Sequence, residues 1–195
     1  MTAPQHRTKN EWRERILAER RAVDAVVRAA EALAVTETAL ALAGSGTVCA
    51  FVPVGTEPGS TELLVSLRAA GVRVLLPVAR EPGPLHWATF ESLETLVPAR
   101  FGLREPAPPH LPPRAVADAA VVLVPALAVD RRGVRLGRGA GFYDRTLSLA
   151  GPNAKLVAVV RDTELVDVLP EDPHDVRMGW ALTPGGGLQQ LGRPS

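Results

Sequence analysis

This chain of 195 residues lacks several sequence features, and each absence argues against a class of structure. There is one cysteine, Cys49, so no internal disulfide can form, and its place in an apolar run predicts a buried, unreactive thiol. No stretch approaches the roughly 20 consecutive apolar residues that a membrane-spanning helix requires. The first residues are polar and charged and lack the apolar core of a signal peptide. We therefore expect a soluble, cytoplasmic protein.

An excess of either charge is also missing. The 22 basic residues nearly balance the 21 acidic ones, which leaves a formal net charge of +1. Such a balance argues against a nucleic-acid partner or a membrane-surface role for the whole protein. With 46% apolar residues the chain can bury a substantial core. Its length favours a single domain over residues 1–195, and we expect a monomer or weak dimer.

The order of apolar runs and helix formers predicts the fold class. Residues 8–43 contain no glycine or proline, and we predict two helices there that break near Val35 and Thr36. Shorter helices are predicted at 60–70 and 142–149. Strands are predicted at 47–54, 72–78, 119–124, 156–160 and 180–183, with a short edge strand at 85–90.

These predicted strands are continuously apolar and are separated by helices. That pattern indicates an α/β protein: a three-layer domain in which helices cover both faces of a mostly parallel sheet. The proline-rich segment 96–114 resembles a linker. Neither half of the chain has enough strands for a sheet of its own, so we interpret the segment as a long irregular loop.

The densest set of functional residue types follows the predicted strand 119–124. Gly137, Gly139 and Gly141 alternate, which would let backbone N–H groups approach an anion. The next predicted helix would direct its N-terminus to the same place. Cationic side chains surround the glycines: Arg131, Arg132, Arg135, Arg138 and Arg145. Because ligands of α/β sheets bind beyond the carboxyl ends of strands, we predict a site for a phosphate-bearing ligand.

The glycines alone fit a flexible, exposed loop about equally well. Two standard nucleotide motifs are excluded. Phe142 stands where the third glycine of the dinucleotide-binding fingerprint belongs, and the Gly-Lys-Ser/Thr of a Walker A loop is missing.

The run from Pro125 to Arg145 resembles the signature of the 5-formyltetrahydrofolate cyclo-ligases. That signature is Pro-x-Leu-x-x-Asp, a basic turn, Arg-Leu-Gly-x-Gly-x-Gly, and then an aromatic residue with Tyr-Asp-Arg. Every fixed position is present, although Phe142 replaces the commoner tyrosine and Ala140 stands where glycine or lysine is frequent. The resemblance implies an enzyme that uses ATP and Mg²⁺. Its small-molecule substrate would be 5-formyltetrahydrofolate, converted to 5,10-methenyltetrahydrofolate with release of ADP and phosphate.

The resemblance also implies roles for individual residues. Lys9 and Arg13 would contact the nucleotide, and their four-residue step puts both on one helical face. Glu57 would bind the folate, because a carboxylate suits the adjacent N–H donors of a pterin. Asp144 and Asp175 would hold the metal. The other expected nucleotide contacts lie in the loop: Arg135, Gly137, Arg138, Gly139, Ala140, Gly141, Phe142, Tyr143 and Asp144. Arg138, Tyr143 and Arg145 are the expected catalytic residues, and Tyr143 is also expected to line the folate pocket.

Simpler interpretations of these residues stay open. Lys9 and Arg13 also fit a solvated helix face, Glu57 a turn before a helix, and Tyr143 a packing residue. One rival function is an enzyme of similar fold that acts on phosphosugars or thioesters through Glu57 or Glu62. A second is a non-catalytic folate or nucleotide sensor. The latter is suggested by Phe142 and by Gly179, which stands where the family usually has an acidic residue.

Overall fold

The computed structural model describes residues 7–81 and 83–192, and the element bounds that follow refer to them. The α-helices are α1 Lys9–Arg21, α2 Ala25–Ala43, α3 Thr61–Ala69 and α4 Phe142–Leu147. The strands are β1 Thr47–Cys49, β2 Arg73–Val78, β3 His86–Thr89, β4 Leu96–Pro98, β5 Arg104–Pro106, β6 Ala119–Pro125, β7 Ala128–Asp130, β8 Arg135–Leu136, β9 Lys155–Val159, β10 Leu165–Val166, β11 Trp180–Thr183 and β12 Gly187–Gln190. Across the described ranges, no helix combines the length and apolar character that a bilayer crossing demands.

Seven strands form the central sheet in the order β12-β11-β9-β6-β1-β2-β3. The five inner strands are parallel, and the two edge strands β3 and β12 pair in the antiparallel sense. From β1 the chain proceeds to β2 on one side, whereas β6 leads to β9 and β11 on the other. The strand order therefore reverses between β1 and β6. In open α/β sheets the crevice beyond such a reversal is the usual place for a ligand.

Both faces of this sheet are buried. Along β6, Val121 and Leu123 face a core that α2 and α3 close, while Val122 and Val124 face a second core on the opposite side. The second core is covered by α4 and by a 3₁₀ turn at residues 113–118. Burial on both faces explains why the strands are continuously apolar, and the predicted three-layer α/β fold is confirmed.

Cys49 belongs to the second core and is fully buried. Burial, with a smaller effect from the charge of Asp118, raises the pKa of its thiol to about 12. A thiol that stays protonated is a poor nucleophile, so the predicted unreactive cysteine is confirmed.

A small three-stranded sheet, β10-β7-β8, lies beside the main sheet and supports α1. Ile16 of α1 is buried with Leu127 and Leu136 from this region. One turn later, Arg20 and Glu164 form an ion pair with 2.6 Å between Nε and Oε1, and both side chains are almost inaccessible. These contacts fix α1 over the β7–β8 hairpin, which leads directly into the glycine-rich loop.

The break between the first two helices is not where the sequence predicted it. α2 begins at Ala25, after Asp24 accepts a hydrogen bond from the backbone N–H of Val26. Thr36 lies inside α2, where its hydroxyl donates to the carbonyl of Ala32. The predicted break near Val35 and Thr36 is therefore wrong, because an aspartate cap outcompetes a threonine whose hydroxyl is satisfied within the helix.

The proline-rich segment covers the β3 edge of the sheet. It contains the β4–β5 hairpin, and Leu111 exchanges two backbone hydrogen bonds with Trp87 of β3. Leu96 is buried in the first core. Since an exposed edge strand offers unpaired backbone groups, this covering has a structural purpose. The segment is packed against the domain and is not a linker, but the predicted irregular loop is wrong in part, because it pairs its own strands β4 and β5.

Candidate active site

A cavity of about 1240 Å³, here the main cavity, opens at the carboxyl ends of β1, β2 and β6. Its wall includes Phe51 after β1, Ala79 after β2 and Ala126 after β6. It therefore lies where the strand order reverses. Small-molecule pockets typically enclose roughly 300–1,000 Å³, so this cavity has room for two ligands side by side.

With the exception of Arg131, Arg132 and Arg145, every residue predicted for the site lines the main cavity. They are Lys9, Arg13, Glu57, Arg135, Gly137, Arg138, Gly139, Ala140, Gly141, Phe142, Tyr143, Asp144 and Asp175. The sequence separates these residues by up to 166 positions, and the fold brings them to one place.

Arg145 is directed away from that wall. Its Nη2 donates to the carbonyl of Ala140 at 3.0 Å, and its Nε donates to the carbonyl of Gly83 at 3.3 Å. The guanidinium also lies 5.3 Å from the centre of the Phe142 ring. In this conformation Arg145 holds the outer side of the glycine-rich loop and does not contact the space inside.

The loop is oriented by Asp130, the aspartate of the Pro-x-Leu-x-x-Asp pattern. Asp130 is completely buried and accepts hydrogen bonds from the backbone N–H groups of Arg132, Val134 and Leu169. The guanidinium of Arg132 also donates to it. These bonds fix the turn between β7 and β8, so that the following Arg135 points inward. No role was predicted for Asp130, and its role here is structural.

Two glycines allow the loop to turn into α4. Gly139 and Gly141 have φ values of +104° and +71°, a region that residues with a side chain rarely adopt. The carbonyl of Gly137 accepts a hydrogen bond from Nε of Arg13 at 2.9 Å. The loop is thus shaped by its glycines and held against α1 by Arg13.

Beneath the loop, Arg135 contacts both Asp144 and Tyr143. Arg135 is 7% exposed, and its Nη2 donates to Oδ1 of Asp144 at 3.0 Å. Its guanidinium lies 5.6 Å from the centre of the Tyr143 ring. Arg135 therefore positions Asp144 in the first turn of α4, and in this conformation its Nη2 is engaged with that carboxylate.

The hydroxyl of Tyr143 is buried and has no hydrogen-bond partner among the described residues. Burial, reinforced by the negative charge of Glu57, raises the pKa of Tyr143 well above its ordinary value. The phenol consequently stays protonated and can donate to a ligand that fills the cavity.

Glu57 lies in the turn before α3 and contacts the glycine-rich loop through Arg138. Its Oε2 accepts from the backbone N–H of Val54, and its Oε1 accepts from Nε of Arg138, each at 3.0 Å. The Glu57 side chain is 11% exposed and that of Arg138 is 52% exposed. The predicted folate contact and a predicted phosphate contact are therefore neighbours.

Lys9 joins the start of α1 to the C-terminal part of the chain. Its Nζ lies 2.7 Å from Oδ2 of Asp172 and 2.6 Å from Oδ2 of Asp175. Burial alone would lower the pKa of Lys9, but the hydrogen bonds and charges of the two aspartates raise it overall. The bond from Lys9 lowers the pKa of Asp172.

The two predicted metal ligands occupy different parts of the main cavity. Asp175 forms a group with Asp172 and His174, whose ligand atoms all lie within 4.8 Å of one another. Asp144 is outside this group and is paired with Arg135. Carboxylate oxygens are the donors that Mg²⁺ prefers, so both places have suitable chemistry, although Lys9 already neutralises the group around Asp175.

One part of the wall of the main cavity was not predicted from the sequence. Arg80, Arg100 and Arg104 line the main cavity there, together with several residues of the proline-rich segment. No periodicity or motif marks these arginines, since they become neighbours only when β5 lies beside β2. Asp172 was also missed, although its position three residues before Asp175 was a usable signal.

Comparison with known proteins agrees with the signature. Residues 5–184 match the profile of the 5-formyltetrahydrofolate cyclo-ligase family. The chain is 54% identical over 191 residues to the 5-formyltetrahydrofolate cyclo-ligase of Mycolicibacterium smegmatis, which covers 95% of this chain and 98% of that protein. It is 32% identical over 141 residues to the protein of that name from Escherichia coli K12, covering 71% of this chain and 78% of the relative.

Two solved structures share the fold. The 5,10-methenyltetrahydrofolate synthetase of Aquifex aeolicus superposes with a TM-score of 0.75 at 23% identity, covering 96% of this chain and 94% of the other. That of Mycoplasma pneumoniae has a TM-score of 0.70 at 18% identity, with coverages of 89% and 96%. The profile match and the relative at 54% identity both span nearly the whole chain, and they confirm the resemblance that the loop suggested. The chain belongs to the 5-formyltetrahydrofolate cyclo-ligase family.

Proposed function

We propose that the protein converts 5-formyltetrahydrofolate and ATP to 5,10-methenyltetrahydrofolate, ADP and phosphate. One observation carries this proposal. The glycine-rich loop and Glu57 line the same cavity and are joined by the bond between Arg138 and Glu57 at 3.0 Å. A phosphate site and a carboxylate suited to a pterin are therefore adjacent, as a transfer from ATP to the folate requires.

The chemistry explains why ATP is needed. The formyl oxygen is a poor leaving group, so the ring cannot close unaided. When that oxygen attacks the γ-phosphorus, the bond to ADP breaks and the oxygen becomes part of a phosphate ester. The neighbouring anilino nitrogen then attacks the formyl carbon and loses its proton, and phosphate leaves. No covalent bond to the protein is required, so the protein's task is alignment and charge stabilisation.

The residues of the main cavity divide this task. Lys9, Arg13 and Arg138 are cations beside the glycine-rich loop, and with its backbone N–H groups they would hold the phosphates. Glu57 would accept hydrogen bonds from the pterin, and Tyr143 would donate one to the bound ligands. Arg145 closes the loop from outside, and its predicted catalytic role stays a prediction.

The carboxylates fit a Mg²⁺ ion that accompanies ATP. Asp144 would hold it, because Oδ1 is paired with Arg135 while Oδ2 has no hydrogen-bond partner among the described residues. Asp175 would be a second ligand once Lys9 turns to the phosphates. When bound, the ion would offset negative charge on the phosphates.

The rival functions receive less support. Glu62, a candidate nucleophile for a phosphosugar or thioester enzyme, is exposed on α3 and does not line the main cavity. Glu57 is engaged by Arg138 and a backbone N–H. Our proposal also includes a single domain over residues 1–195, acting as a monomer or weak dimer in the cytoplasm.

The test is direct. Purified protein is incubated with ATP, Mg²⁺ and 5-formyltetrahydrofolate, and the near-ultraviolet absorbance of the methenyl product is followed while ADP is measured. We expect both products in equal amounts and no ADP without the folate. ATP consumption at the same rate without folate, or binding without product, would contradict the proposal.

A further inference from the structure

A second, smaller cavity lies behind the turn that carries Glu57. This rear cavity has a volume of about 210 Å³ and is enclosed by the end of α1, the start of α2 and the turn at residues 55–60. Its wall includes the arginines Arg20, Arg28 and Arg161. Because its volume is below the roughly 300–1,000 Å³ of ordinary ligand pockets, only a small ion or molecule fits.

Arg20 lines this space and is almost completely buried. The residue is 1% exposed, and its Nε and Nη2 donate to the two oxygens of Glu164, with Nη2 also donating to the carbonyl of Ala126. Its Nη1 is buried and has no partner among the described residues. A buried N–H group of a guanidinium is costly to leave without an acceptor, and a small rotation of the side chain would bring this donor to an acceptor in the rear cavity that Arg20 lines.

The other two arginines have donors to spare. Arg28 uses Nη1 to bond the carbonyl of Val23, which leaves Nε and Nη2 without a partner in the described part of the chain. Arg161 bonds Glu31 through Nε and Nη2 and keeps Nη1. Three guanidinium groups thus border one small space.

The start of α3 adds a fourth contribution. Gly59 and Ser60 line the rear cavity directly before Thr61, the first residue of that nine-residue helix. The Ser60 side chain makes no capping hydrogen bond, so it does not satisfy the first N–H groups of the helix. Such groups attract anions, and they supplement the buried donor of Arg20.

The carboxylates that line the rear cavity do not bond the unpaired N–H groups of its arginines. Glu31 is occupied by Arg161, and Glu57 is bonded to Arg138 and to the N–H of Val54. We propose that the rear cavity binds a small oxyanion of the size of inorganic phosphate, held by Arg20, Arg28 and the chain entering α3. Such an ion would contact the back of the turn whose front carries Glu57. Glu57 lines both cavities, but the proposed anion site does not depend on the folate reaction.

Inorganic phosphate is the probe. It is titrated into the ¹⁵N-labelled full chain in a chloride buffer, and backbone amide resonances are followed. We expect saturable shifts of the Gly59 and Ser60 amides. Arg28→Gln should raise the dissociation constant read from these two amides about tenfold or more, the usual effect of losing a hydrogen bond to a charged group. Arg28→Lys, which keeps the charge, should restore part of the affinity.

Arg13→Gln is the matched control, since Arg13 lines the main cavity and not the rear one. It should alter any phosphate-dependent shifts of residues 137–141 and leave those of Gly59 and Ser60 unchanged. The proposal is overturned if these two amides show no saturable shift, or if Arg28→Gln and wild type bind phosphate equally through them. Either outcome would mean that the rear cavity does not bind phosphate.

Discussion

Arg135 lies almost fully buried beneath the glycine-rich loop and donates from Nη2 to Oδ1 of Asp144 at 3.0 Å. The pair links the last residues before the loop to the first turn of the helix after it. Asp144 thereby compensates a buried guanidinium, and since it also lines the main cavity we propose for it a second task, the binding of Mg²⁺. The two tasks have separate experimental signatures.

Replacing Asp144 with Asn should reduce both stability and activity. Loss of a hydrogen bond to a charged group should cost about 1.5–3 kcal/mol in the free energy of unfolding. If Asp144 also holds Mg²⁺, the turnover rate should fall on the order of a hundred-fold, as when a preorganised transition-state contact is lost, and part should return at raised Mg²⁺. Urea unfolding and initial rates across a Mg²⁺ series measure these effects. Asp167→Asn, at a side chain 95% exposed, is the control. A stability loss without any Mg²⁺-dependent rate defect would leave Asp144 a structural residue.

Glu57→Gln should chiefly weaken folate binding. The change removes a charged acceptor from the main cavity, which corresponds to about 1.5–3 kcal/mol, or roughly ten- to a hundred-fold in apparent affinity. Steady-state kinetics at saturating ATP give the KM for 5-formyltetrahydrofolate. Glu62→Gln should leave both kinetic constants unchanged, because Glu62 is exposed on α3. Loss of activity in Glu62→Gln alone would revive the rival phosphosugar or thioester enzyme.

Lys9→Ala combined with Arg13→Ala should raise the KM for ATP more than the KM for the folate. Arg13 bonds the carbonyl of Gly137 in the glycine-rich loop, and Lys9 lies one turn earlier on α1, whereas the proposed folate contact Glu57 belongs to the turn before α3. Arg15→Ala serves as control, since Arg15 pairs with Glu19 on the outer face of α1. If the double variant changes only the melting temperature, the two residues are merely a surface feature of the helix.

The bonds between Lys9 and the aspartates should also leave a signature in the pH dependence of stability. The pKa of Lys9 is raised, so its contribution is complete below the ordinary value of 10.5 and is lost as pH rises through the higher folded value. The pKa of Asp172 is lowered, so its contribution is complete above the ordinary value of 3.8 and is lost as pH falls through the lower folded value. Melting temperatures of wild type and Lys9→Met should therefore differ most between about pH 5 and pH 9 and converge outside that window. A constant difference from acid to alkaline pH would show that Lys9 stabilises by packing instead.

Removing one partner of the Arg20–Glu164 ion pair should lower the free energy of unfolding much more than replacing both partners. Glu164→Leu leaves a buried guanidinium without its partner, which should cost about 3–5 kcal/mol. The double variant Arg20→Met with Glu164→Leu should recover most of that loss, because hydrophobic side chains can fill the space. Urea unfolding of the three proteins gives the comparison. A double variant less stable than Glu164→Leu would contradict this account.

Sequence reasoning succeeded where local chemistry decides the structure. The inner strands are apolar on both faces, so runs such as residues 119–124 are unmistakable, and Gly71 ends α3 with a φ of +81° as such a stop should. It failed where two local signals compete, as with Asp24 and Thr36. It also missed β12 and the strands of the small sheet, which are only two to four residues long.

The candidate site shows the same division. Glycines 137, 139 and 141 and Asp144 are contiguous and could be found as a motif. Arg80 and Arg100 lie in the turns of two different hairpins, β2–β3 and β4–β5, and only tertiary pairing brings both to the cavity wall. The ion-pair partner of each charged residue could not be predicted from the sequence either. Arg135 was therefore predicted to contact the nucleotide, although its Nη2 donates a hydrogen bond to Asp144.

The contacts of Lys9 join the two ends of the chain, for Asp175 lies 166 residues further along. During synthesis, the residues of the first helix and of the glycine-rich loop are made before Asp172 and Asp175, which orient Lys9. The arrangement of charges around Lys9 therefore cannot form until Asp172 and Asp175 have been synthesised. A protein truncated before Asp172 would retain Gly137, Gly139 and Gly141 yet lack both carboxylates that hold Lys9. The recognisable motif would survive in such a fragment while the arrangement of charges around it would not.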